Sequence, residues 1–108
     1  MSIRNGVARR SLSRRVLLRL YELRPDLTPG RVAPRLGIDA ALLAAYERGD
    51  MLMPLDVQER LAAFAHGQEP RLVRAATRLR QQVEGARRYE AGQVVSHLTA
   101  PANSWKTL

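Results

Sequence analysis

The run Leu27-Thr28-Pro29-Gly30-Arg31-Val32-Ala33-Pro34-Arg35-Leu36-Gly37-Ile38-Asp39-Ala40-Ala41-Leu42-Leu43-Ala44-Ala45-Tyr46-Glu47-Arg48-Gly49, continued by Pro54 and Leu61-Ala62, decides the fold. Thr28 reads as the cap of a short helix with Pro29 in its first turn, where a missing N–H costs nothing. Val32, Ala33 and Leu36 are its inward residues, and Gly37 ends it in the left-handed conformation. Asp39 caps the next helix, Ala40 to about Glu47, which Gly49 closes. Pro54 opens a further helix to Ala65, with Leu55, Leu61, Ala62 and Phe64 inward and His66-Gly67 as its stop. Pro34 lies inside the first of these helices. It removes a backbone donor and crowds the Gly30 carbonyl, which predicts a kinked or partly tightened helix there.

Working outward, residues 11–24 predict a helix capped by Ser11 or Ser13, with Val16, Leu17, Leu20 and Leu23 inward, stopped by Pro25. Residues 1–10 lack helical periodicity and contain Asn5-Gly6, which predicts a flexible basic arm. On the C-terminal side, Pro70 begins a helix to about Glu90. Leu72, Ala76, Leu79, Val83 and Ala86 follow one another at steps of 4, 3, 4 and 3, an apolar seam of coiled-coil spacing. That seam fits pairing of two copies through residues 70–90 and fits equally a helix folded back on its own domain. Residues 91–108, with Gly92, Pro101 and Asn103, read as a tail. The expected organisation is a basic arm (1–10), a helical domain (11–66), a long C-terminal helix (67–90) and a tail (91–108).

The 108 residues suit one small domain. Aromatic residues are few (Tyr21, Tyr46, Phe64, Tyr89, Trp105), so Leu, Val and Ala must fill the core. There is no cysteine, which excludes disulfides and thiolate chemistry. No apolar run is long enough to span a membrane or to serve as a signal peptide, so cytoplasmic residence, beside the nucleoid, is expected. The net charge is +8, and every basic residue except Lys106 is an arginine. Residues 1–24 hold seven arginines and one acid, residues 25–69 four arginines and seven acids, and residues 70–108 seven basic residues and two acids. Basic flanks around an acidic centre imply a polyanionic partner held mainly by the flanks.

The run quoted above resembles the helix-turn-helix of the Cro and lambda-repressor (XRE-like) family over roughly 40 residues, on the order and spacing of Ala33, Gly37, Ile38, Leu42, Tyr46-Glu47-Arg48-Gly49 and Pro54. The resemblance implies an all-α, five-helix helix-turn-helix domain with a C-terminal extension helix and tail. It implies a small DNA-binding transcriptional regulator with double-stranded DNA as partner. On this reading Arg4, Arg9 and Arg10 form an arm for the minor groove or phosphates. Arg14, Arg15, Arg31 and Arg35, with Thr28, hold the backbone, and the recognition helix offers Asp39, Ala40, Ala41 and Ala44. That helix carries no Arg, Lys, Asn or Gln for bidentate base contacts, so direct readout is expected to be weak.

Two alternatives belong to other classes. The Ala40–Ala45 face is smooth enough for a partner protein to lie on, as in an antitoxin-like or adaptor subunit. Trp105, with Leu72, Ala76, Leu79, Val83 and Ala86, completes the expected partner interface, although Trp105 could also fold back over the core. Catalysis is the third class. His66 and His97 have no ligand-spaced partners, Ser11 and Ser13 are better read as caps, and no phosphate loop is present. No enzyme activity, metal or cofactor is expected.

Overall fold

The computed structural model describes the backbone of residues 3–104 and the side chains of residues 6–92. Among the described residues it is all-α. The helices are α1 (Ile3–Arg10), α2 (Leu12–Leu23), α3 (Pro29–Leu36), α4 (Ala40–Arg48), α5 (Leu55–Gln68) and, after a 3-10 turn at Pro70–Leu72, α6 (Val73–Ser104).

One core joins α2 through α6. Val16, Leu17 and Leu20 of α2 meet Val32, Ala33 and Leu36 of α3, Leu43 and Tyr46 of α4, and Val57, Leu61, Ala62 and Ala65 of α5. Leu72, Ala76 and Leu79 close the cluster from the other side. Small residues at Ala33, Ala62 and Ala65 let neighbouring helices approach closely. Met53 and Val57, which the periodicity did not single out, are buried, whereas Leu55 and Phe64 are only half-buried.

The caps at the centre of the chain follow from their residue types. α3 and α4 end in the same way: Gly37 (φ 71°) and Gly49 (φ 76°) are left-handed. The N–H of the following residue reaches back to the last turn, Ile38 to the Ala33 carbonyl (3.1 Å) and Asp50 to the Ala45 carbonyl (3.0 Å). This doubly bonded C-terminal motif satisfies carbonyls that a helix end would otherwise leave open. Asp39 caps α4, its carboxylate accepting from the Leu42 N–H at 2.7 Å. Thr28 occupies the cap position of α3, but its side chain accepts no capping hydrogen bond. α3 runs unbroken through Pro34. Pro34 and Gly30 are both exposed, so water can serve the carbonyl that proline cannot.

Four expectations are corrected. Residues 3–10 form α1 rather than a loose arm. Among its described side chains only Ala8 is deeply buried, too little for a periodic pattern to reveal, and the Ser11 hydroxyl donates to the Ala8 carbonyl at 2.8 Å. α5 continues through His66 and Gly67 to Gln68 and stops where Pro70 forces Glu69 into an extended conformation. The expected tail is helical to Ser104, the helix running through both Gly92 and Pro101. Finally, Leu72, Ala76, Leu79 and Val83 are at most 3 % exposed within the monomer, and Ala86 is half-buried. α6 packs chiefly on α5, so the apolar seam closes on its own domain and is not open to a second copy. The 4-3 spacing is common to both arrangements, and the small residues of α5 decide between them.

Candidate nucleic-acid interface

α4 is nine residues long, and its two faces differ. Leu43 and Tyr46 are buried, while Ala40 and Ala41 are exposed and Ala44 half-buried. The outward face of its first two turns therefore carries methyl groups alone, apart from the Asp39 carboxylate, which is engaged as the cap. α3 runs beside it and exposes Arg31 and Arg35, one turn apart. The Arg35 guanidinium lies 5.4 Å from the centroid of the Phe64 ring, a cation–π contact that orients it from below. Arg31 is near Asp26. That carboxyl is held below its usual range first by its hydrogen bond from Arg24, with Arg31 a lesser contributor.

The far end of α4 is anchored differently. Arg14 donates from Nε to the Glu47 carbonyl (2.8 Å) and from Nη1 to the Arg9 carbonyl (3.0 Å). It thereby ties the C-termini of α1 and α4 together, a structural role the sequence did not assign to it. Arg9 packs on Gly49, where a Cβ would meet the Arg9 Cα at 3.1 Å. Tyr21 stands behind this junction, its hydroxyl buried without a hydrogen bond of good geometry. Burial, then the neighbouring Glu47 carboxylate, pushes its pKa upward.

The candidate residues thus divide into two groups. Thr28, Arg31, Arg35, Asp39, Ala40, Ala41 and Ala44 belong to α3, α4 and their caps. Arg9, Arg10, Arg14 and Arg15 gather where α1 meets α2, at the C-terminal end of α4. The side chains of Arg4 and Trp105 lie outside the described residues. Arg10 and Arg15 share a cleft of about 540 Å³ with Arg78 of α6, so cations from both basic flanks meet on one face. Arg71 is committed to Glu69 (2.8 Å) and the Leu23 carbonyl, whereas Arg78 faces the cleft. Nothing in the linear spacing signals that Arg78 would meet Arg10, since they are brought together only by α6 packing across α5 and α2.

No described helix is long and apolar enough to cross a membrane. Comparison with protein-family models, with curated proteins and with solved structures returned no match, and the function is therefore read from these side chains alone.

Proposed function

We propose that this chain is a small DNA-binding regulator of the helix-turn-helix type, in which α3 and α4 form the motif and α4 is laid into the major groove. The carrying observation is the form of α4: a short helix anchored through Leu43 and Tyr46, exposed at its N-terminal turns, and flanked by Arg31 and Arg35. Those two guanidiniums and the N-terminus of α3 supply phosphate contacts, and the remaining positive charge supplies long-range attraction. Ala40, Ala41 and Ala44 can touch thymine methyls but offer no donors, so sequence preference rests on DNA shape more than on base edges.

Titration of a fluorescent duplex at two salt concentrations tests this. The logarithm of affinity should fall steeply with the logarithm of salt, by roughly 0.9 for every phosphate contacted. A flat response contradicts the proposal. One observation favours a second reading, a partner-protein helix seated on the alanine face: the exposed positions Ala40 and Ala41 carry no hydrogen-bonding group. Under that reading, bulky replacements at Ala41 leave duplex affinity unchanged.

A further inference from the structure

The cleft between α1, α2 and α6 is a second surface with its own chemistry. Three arginines border it, Arg10, Arg15 and Arg78, and none of its ten lining residues is acidic. Six arginines outside the cleft, Arg19, Arg24, Arg48, Arg60, Arg71 and Arg87, each lie within 3.3 Å of a carboxylate oxygen. Among the described residues the three cleft arginines have no such partner. Guanidiniums held around one concavity repel each other, and a multivalent anion between them relieves that repulsion. The N-terminal turn of α2, capped by Ser11, also opens into the cleft and adds the positive end of a twelve-residue helix.

The walls are not polar throughout. Val7, Leu12 and Leu52 line the same space, and Val7 and Leu52 are 48 % and 45 % exposed. Exposed large apolar side chains are few among the described residues, and two of them stand here beside three cations. The cleft continues past Leu12, Arg15 and Arg78 into a shallower groove of about 270 Å³ floored by Val16, Leu72 and Ala75. A volume of 540 Å³ lies within the range of small-molecule sites, about 300–1,000 Å³.

We infer that this cleft binds a small phosphomonoester carrying an apolar group, with the phosphate held by Arg10, Arg15 and Arg78 and the apolar part laid against Val7 and Leu52. A dianionic phosphate matches three cations better than a single carboxylate does, and guanidinium forks suit its oxygens. The site stands at the opposite end of α4 from Ala40 and does not depend on the DNA-binding reading.

Calorimetric titration of the full chain without DNA tests the inference, using octyl phosphate below its micellar concentration, inorganic phosphate and octyltrimethylammonium as probes. Octyl phosphate should bind saturably, at least about tenfold tighter than inorganic phosphate because the chain buries apolar surface. Octyltrimethylammonium should not bind. The R15Q/R78Q double variant changes exposed side chains only. It should keep its helical circular dichroism and lose about tenfold or more in octyl phosphate affinity, a loss typical of charge-assisted contacts. Leu52→Ser should weaken octyl phosphate and leave inorganic phosphate unchanged. Absence of saturable binding, or equal affinity in the folded double variant, overturns the inference. So does stoichiometric displacement of octyl phosphate by duplex DNA, which would assign the cleft to the nucleic-acid backbone.

Discussion

The α3–α4 face and the α1–α2–α6 cleft are both basic, yet they are built on opposite plans. The first is an exposed helix face: two exposed arginines stand beside a helix whose outward early turns carry only alanine. The second is concave: three arginines with no carboxylate partner surround apolar walls. A duplex needs a protruding element it can admit into a groove, and a small anion needs a hollow that surrounds it. The difference teaches that a high positive charge has no single meaning. Among the described residues, arginines serve internal ties such as Arg14, ion pairs such as Arg48–Asp50, and two outward surfaces.

The strongest way to break the comparison is at the joint between the two surfaces. Gly49→Ala places a Cβ against Arg9 backbone at 3.1 Å and forces alanine to φ 76°. It should cost about 3 kcal/mol in a denaturant melt, from steric overlap added to left-handed strain. Gly37→Ala has similar strain (φ 71°) but meets only the flexible Arg60 side chain at 3.4 Å. It should cost about 1 kcal/mol. Equal costs would show that α1 is not seated on α4.

Next in size is the division of labour among arginines. The R31Q/R35Q double variant should lower duplex affinity several-fold and reduce the salt slope by about 2, one for each lost phosphate contact. Its octyl phosphate affinity should be unchanged. A salt slope equal to that of the unaltered chain would remove α3 from the duplex contact.

A smaller effect concerns the root of α6, which carries Arg78 into the cleft. Glu69 is nearly buried, and its hydrogen bonds from Arg71, side chain first and backbone second, hold its pKa down to about 2 from an ordinary 4.5. A lowered folded-state pKa contributes stability that is present above pH 4.5 and lost as pH falls toward 2. The thermal midpoint of the unaltered chain should therefore decline across that window. Glu69→Gln should be less stable above it and show a shallower decline within it; identical acid profiles would show that the Glu69–Arg71 contact does not persist in solution. The smallest expected effect is at Thr28. A capping threonine is worth about 1 kcal/mol, but this hydroxyl makes no cap bond, so Thr28→Ala should change stability by less than about 0.5 kcal/mol.

Much of the chain was legible because its punctuation is local. Asp39, Gly37 and Gly49 act through bonds within a few residues and stand where the sequence put them, and Ser11 is the one of two candidate caps that is used. Helix ends governed by competition were harder to read. Gly67 is a permissive residue inside α5, and Pro70 is the effective stop. α1 was missed because Ala8 alone is deeply buried among its described side chains, and because its seat at Gly49 is distant in sequence. The seam on α6 was seen but not its partner, since spacing reports a buried face and not what buries it. The alanine face of α4 was read correctly as bare. The cleft was out of reach, for its cations come from α1, α2 and α6 and meet only through tertiary packing.

Chemical-shift mapping of the full chain, titrated separately with a short duplex and with octyl phosphate, tests the separation of the two surfaces most directly. The duplex should perturb amides of Thr28–Arg31 and Ala40–Ala44, and octyl phosphate those of Arg10–Ser13 and Arg78–Gln82, with little overlap. A single shared set of perturbed amides would contradict the account.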